Sequence, residues 1–331
     1  MPLNKPVIVD TDTGVDDALA LMLLLSRRDI EVISVHSTHG NCTAERAAGN
    51  ARYVLETCGF ADVPVHVGRG EPLGQKLQLS SRVHGDDGFG NTWREPRQRA
   101  ESTPDAVTRL VELARDRPGE LHYLALGPVT NLAAALRQEP RLIEMLRTVT
   151  IVGSLGPAMY QDDQPWLDHR FRVSKDPNVS GDITAAAEVA AAKGVVTWVG
   201  PYITRQCLVP KATIDEIAQA TANPHARLIA DISHFYADFY TKAYRPDGGP
   251  RVMGINDSIA AACLLEPEVL LASVHRPLQV FHDQDGVSYL AGVHPERDDT
   301  RVRHEIVFDV DFTAIIDMVT QALRTPQPWR T

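Results

Sequence analysis

Val9-Asp10-Thr11-Asp12-Thr13-Gly14-Val15-Asp16-Asp17 places four carboxylates within eight residues, between two apolar stretches. Before it, Pro6-Val7-Ile8-Val9 reads as a buried strand. After it, Ala18-Leu19-Ala20-Leu21-Met22-Leu23-Leu24-Leu25 is apolar and rich in helix formers. The carboxylates therefore fall where a strand ends and a helix begins, the place where open parallel sheets bind ligands. Four like charges repel and are costly to bury unpaired. A hard cation such as Ca2+ or Mg2+ relieves that cost, because it takes several oxygen ligands. Gly14 lets the loop turn tightly enough to aim carboxylates from both sides at one point. A solvated turn with an acidic helix start accounts for Asp16 and Asp17. It leaves Asp10 and Asp12 unexplained, so a metal or polyol site is the stronger reading.

Working outward, 331 residues suffice for one large α/β domain or two smaller ones. A formal charge of -10 without a long basic run argues against a nucleic-acid partner. Cys42, Cys58, Cys207 and Cys263 are widely separated and form no CxxC pair, which points to buried small hydrophobes rather than zinc or disulfides. The start of the chain shows no signal-peptide pattern, and the apolar run 18–25 is too short for a bilayer. A cytoplasmic protein without membrane association is expected.

Ile30–Ser37 reads as a second strand, ending at Thr38-His39-Gly40-Asn41 before a helix over 43–58. Asn41 there binds a sugar hydroxyl, orients a carboxylate or caps the next helix. Val63–Val67 is a short strand. Residues 68–103 have little periodicity, and the glycine-rich Val83-His84-Gly85-Asp86-Asp87-Gly88 segment reads as a loop near the site. His84 there contacts substrate or packs within the loop. Thr103-Pro104 is expected to cap a helix reaching Arg115. Strand 121–126 leads into Gly127-Pro128-Val129-Thr130-Asn131 and a helix over 129–138, so the Leu126 carbonyl would face the same crevice and offer a backbone ligand to calcium. Strands are also expected at 148–152 and 195–199, the latter broken by Pro201. A helix is expected over 182–193. A helix over 225–244 carries an aromatic face that is mostly core, with one tyrosine available to a ligand. Asp257 opens an apolar helix, either as an N-terminal charge or as a distant carboxylate completing a metal shell. Residues 278–281 and 305–308 suggest edge strands, and the last helix covers 311–324.

Taken together, Asp10-Thr11-Asp12-Thr13-Gly14-Val15-Asp16-Asp17-Ala18, Gly40-Asn41, Gly127-Pro128-Val129-Thr130-Asn131 and Asp176-Pro177 resemble the inosine-uridine preferring nucleoside hydrolases, in order and spacing over nearly the whole chain. The resemblance implies a single domain over 1–331: a Rossmann-like α/β fold with a mostly parallel sheet flanked by helices. It also implies a bound Ca2+ and hydrolysis of the N-glycosidic bond of a ribonucleoside or related ribosyl compound, in a homodimer or homotetramer. Residue by residue, it implies Asp12, Asp17, Asp257 and the Leu126 carbonyl as calcium ligands, with Asp10 buttressing Asp12. Asp16 would hold a ribose hydroxyl, and Asn41 would lie beside the sugar and the attacking water. Asp12 is the candidate general base.

The departures are specific. Where the family has Ala-Glu-Phe-Asn, this chain has His169-Arg170-Phe171-Arg172. Guanidinium groups suit phosphate or carboxylate, so Arg170 and Arg172 either bind an anionic group such as a 5'-phosphate or pair with Asp162, Asp163 or Asp168. The family's leaving-group histidine is replaced by Asn256, which can hydrogen-bond a departing base; His84, His234 or Tyr240 are alternative sources of that help. The competing class is a calcium-containing, noncatalytic nucleoside or polyol binder. A dinucleotide enzyme is disfavoured because Thr13-Gly14-Val15-Asp16 stands where GxGxxG would be.

Overall fold

The computed structural model describes residues 5–97, 104–154, 176–282, 288–293 and 299–328. Its strands are β1 (Lys5–Thr11), β2 (Ile30–Ser37), β3 (Val65–Val67), β4 (His122–Ala125), β5 (Thr148–Val152), β6 (Thr197–Val199), β7 (Leu208–Pro210), β8 (Val252–Gly254), β9 (Leu270–Arg276), β10 (Leu278–His282), β11 (Ser288–Gly292) and β12 (His304–Val310). Eight form one sheet in the order β3-β2-β1-β4-β5-β6-β12-β9. All its pairings are parallel except that of β9 with β12. The fold is thus the expected α/β architecture with a mostly parallel sheet. Helices cover both faces, and two apolar clusters fill the two sides. Val7 and Val9 face one cluster and Ile8 the other, which is why β1 is apolar without alternation.

The chain runs from β1 outward to β2 and β3, then returns to place β4 on the other side of β1. The order therefore reverses between β1 and β4, and a crevice opens at their carboxyl ends. Asp10 sits opposite Ala125 there, and the Leu126 amide donates to the Asp10 carbonyl at 2.8 Å. The helix Val15–Leu25 starts at this crevice and is buried along its whole length, consistent with its uniformly apolar sequence.

Three expectations are corrected. Asp105, not Thr103, caps the fourth helix: its carboxylate accepts from Thr108 N, and the helix begins at Ala106. Thr103 itself lies outside the described residues. Residues 305–308 belong to an interior strand, since β12 is flanked by β6 and β9 and buries Ile306 and Val307. The reading missed Leu270–Arg276, the strand that occupies the edge, because its half-exposed residues lack a strong pattern. Residues 278–281 lie in a separate hairpin with Ser288–Gly292. Pro201 ends one element but also opens a short helix, Pro201–Thr204, where its missing N–H costs nothing.

Candidate functional site

Asp10 and Asp12 are both buried at the end of β1. One oxygen of Asp10 accepts from the Tyr123 hydroxyl at 2.6 Å and from Asn131 Nδ2 at 3.0 Å; the other has no partner. Burial pushes the Asp10 carboxyl up to about 7, although those two donors pull it down. Asp12 Oδ2 accepts from the Asn41 amide at 2.7 Å, while Asp12 Oδ1 is buried and unpartnered. Glycines make room for it. A Cβ on Gly127 would stand 2.9 Å from Asp12 Oδ1, and one on Gly40, where φ is +152°, would collide with Oδ2.

The first turn of Val15–Leu25 supplies Asp16 and Asp17. Asp17 Oδ1 accepts from the Thr11 hydroxyl at 2.6 Å, and Oδ2 from Gly14 N and Asn41 Nδ2, each at 2.9 Å. Asn41 thus orients carboxylates, and the next helix is capped by Thr43 instead. Asp257, in the first turn of Asn256–Leu265, closes the group: oxygens of Asp16, Asp17 and Asp257 all lie within 4.8 Å of one another. Asp12 stands outside this tightest trio, but its charge bears on Asp17 and Asp257. Burial, reinforced by the neighbouring carboxylates, holds Asp12 and Asp257 well above the ordinary carboxylate range. Burial also raises Asp16 and Asp17. Among the described residues no lysine or arginine pairs with any of these acids. Oxygen-only donors, excess negative charge and an unpartnered Asp12 Oδ1 match what a calcium ion requires. The buried Asp16, Asp17 and Asp257 cluster has the character of a calcium site.

Asn256 Nδ2 faces Asp16 Oδ2 at 2.8 Å, the Tyr240 hydroxyl at 2.6 Å and the Tyr236 hydroxyl at 3.2 Å. A carboxylate only accepts, so the amide nitrogen must point this way, and its two hydrogens are spent on three oxygens. Tyr240 is buried and linked to Asn256 rather than standing free. His84 Nδ1 accepts from Val15 N at 3.2 Å, which leaves the ring proton on Nε2. Burial lowers His84 to about 4, so its 3.9 Å approach to Asp16 is no ion pair near neutral pH. The ring lies 5.0 Å from that of Tyr236. His234 is elsewhere, its carbonyl bound by Arg251.

The Leu126 carbonyl accepts from Asn178 Nδ2 at 2.6 Å. Arg170 and Arg172, with Asp162, Asp163 and Asp168, lie outside the described residues. The sequence reading missed Thr11, Tyr123, Asn131, Tyr236 and Asn178. Tyr236 was detectable, four residues before Tyr240 on one helix face. Tyr123 carries no local signal, and the 127–131 stretch flags Asn131 without revealing its role, because their partner Asp10 is over a hundred residues away.

The family model for the inosine-uridine preferring nucleoside hydrolases matches residues 7–317. The chain belongs to this family. It is 30% identical to the probable uridine nucleosidase 2 of Oryza sativa subsp. japonica, over 81% of this chain and 76% of the relative. It is 26% identical to the pyrimidine-specific ribonucleoside hydrolase RihA of Shewanella woodyi, over 98% and 99%. A solved purine-preferring ribonucleoside hydrolase from Gardnerella vaginalis shares the fold with a TM-score of 0.83, at 23% identity over 97% of this chain and 98% of that one. As a member, the nucleoside hydrolase described here is an enzyme that cleaves the N-glycosidic bond of a ribonucleoside. Among its described residues, no helix is long and apolar enough to cross a membrane.

Proposed function

We propose that residues 1–331 form one catalytic domain in which Asp12, Asp17, Asp257 and the Leu126 carbonyl hold Ca2+ and Asp12 is the general base. The observation carrying this reading is Asp12 Oδ1, a buried carboxylate oxygen without a partner, in the crevice between β1 and β4. Calcium held there supplies positive charge that anchors ribose hydroxyls and makes water easier to deprotonate. The Asp12 carboxylate takes a proton from water as the water oxygen attacks the anomeric carbon. The C–N bond breaks and its electron pair leaves with the base, which is protonated from solvent while Asp12 returns its proton to solvent, so that one water is consumed overall. The surrounding carboxylates stabilise the positive charge that develops on the sugar. Asp16, oriented by Asn256, receives a ribose hydroxyl, and Asn41 keeps Asp12 and Asp17 aimed at the sugar. Asn256 acts on Asp16 rather than on the leaving base, because its donors are already spent. His84 Nε2–H and the Tyr240 hydroxyl are the groups proposed for the base side.

The uridine and pyrimidine specificities in the relatives' names make uridine the first substrate to test. Arg170 and Arg172 extend the proposal to a ribosyl compound with an anionic 5' group, supported by guanidinium chemistry alone. The assay measures reducing sugar and free base from nucleosides and their 5'-monophosphates with calcium present. Asp12→Ala should lower kcat about 10²–10⁴-fold. Undiminished turnover in that variant would overturn the base assignment, and no turnover across the panel would overturn the ribonucleoside substrate. An assembly of two or four copies in the cytoplasm completes the proposal, and the mass of the native particle tests the copy number.

A further inference from the structure

Asn178 follows the Asp176-Pro177 turn and reaches back under two strand ends. Its Nδ2 donates to the Leu126 carbonyl at 2.6 Å and to the Val152 carbonyl at 3.0 Å. Those carbonyls end neighbouring parallel strands, β4 and β5, so both amide hydrogens are used to bridge the floor of the crevice. The backbone that carries Asn178 is itself fixed. Asp176 accepts from Asn178 N at 3.0 Å and Val179 N at 3.3 Å, and Pro177 restricts the turn between them.

The peptide that Asn178 holds is the one most in need of holding. The Leu126 carbonyl belongs to the Leu126–Gly127 unit, and glycine permits more rotation there than any other residue. Gly127 cannot be exchanged for a stiffer residue without crowding Asp12, as its missing Cβ would lie 2.9 Å from Asp12 Oδ1. Close approach to Asp12 requires glycine, and glycine leaves the carbonyl free to swing. A carbonyl oxygen has two lone pairs. One hydrogen bond from Asn178 fixes the oxygen's direction and leaves the second pair for another partner.

We propose that Asn178 is a positioning residue for calcium, holding the Leu126 carbonyl in the direction in which it serves as a ligand. This rests on the calcium reading given above. Groups that orient a metal ligand from outside the shell typically change metal affinity by about 10–100-fold when removed.

The test is calorimetric titration of calcium into chelator-treated wild type, Asn178→Ala and Asn178→Leu. Leucine keeps the branched shape of asparagine without its donors, which separates lost packing from lost hydrogen bonds. Both variants should bind calcium about ten-fold or more weakly, with kcat recovered at saturating calcium. A purely structural strand clamp predicts a lower melting temperature in chelator with Kd within two-fold of wild type, and that result overturns the proposal. Absence of calcium binding by wild type would instead overturn the metal reading itself, so the two failures are distinguishable.

Discussion

Asp10 and His36 sit opposite each other on β1 and β2, both buried, both with ring or carboxylate atoms that lack partners. Burial drives each toward its uncharged form, His36 down to about 3 and Asp10 up to about 7. Their surroundings then diverge. The His36 ring meets His66 edge-on at 5.8 Å, and both its nitrogens are left unpartnered. Asp10 lies two residues before Asp12 in the acidic stretch that also supplies Asp16 and Asp17, and the oxygens of Asp16, Asp17 and Asp257 converge from two segments of the chain. An isolated buried polar group settles its cost by staying neutral. Several converging carboxylates that no arginine or lysine among the described residues neutralises call for a cation. Convergence of one charge, rather than unpartnered atoms alone, separates a site from a polar patch in the core.

The contrast breaks most readily at Asp257. Asp257→Asn should weaken calcium binding by about 100-fold, because affinity depends on ligand charge. The same variant should melt higher than wild type in chelator, because one of the mutually repelling carboxylates is gone. Calorimetry and melting curves with and without calcium read both signs; a fall in both melting temperatures would contradict the crowding argument. Asn256→Ala comes next. It removes the donor to Asp16 Oδ2 and should raise KM about ten-fold while kcat changes less, a split that steady-state kinetics resolves. An equal loss in kcat would return Asn256 to the leaving-group step.

On the histidine side the effect is expected in stability alone. The folded pKa of His36 is about 3, below its ordinary value of 6.5. The unfolded chain therefore binds a proton that the folded chain refuses, and stability is lost as pH falls from 6.5 toward 3. His36→Leu should recover about 2 kcal/mol of the stability lost between pH 6.5 and 5, with activity at neutral pH unchanged. Urea titrations at those two pH values, at constant calcium, check this; parallel declines in wild type and variant would assign the acid sensitivity to other groups.

The parts of this enzyme that were legible in its sequence are those in which local pattern and tertiary role agree. β2 falls at Ile30–Ser37 as its apolar pattern indicates, and Thr43 and Cys58 bound the next helix. The acidic loop announced itself because burial of four carboxylates has few physical explanations. The rest depended on remote partners. Asn178 resembles an ordinary residue after an Asp-Pro turn until the ends of β4 and β5 arrive beneath it. Asn256 could be read as a donor to substrate only while its three oxygen neighbours were out of view. The antiparallel pair of β7 and β8 escaped because each strand has three residues, too few to establish a period.

The hydrogen bond from Asn256 to Asp16 spans 240 positions of chain, and Asp257 stands beside it. Such contacts carry a large loop-closure cost and form late relative to local structure. A ribosome that has released the first two hundred residues has already produced the acidic loop, but not the carboxylate that closes it. Ion capture is thereby tied to synthesis of the chain past Asp257. Calcium then rewards only the finished fold, lowering its free energy by mass action and leaving partial chains unprotected.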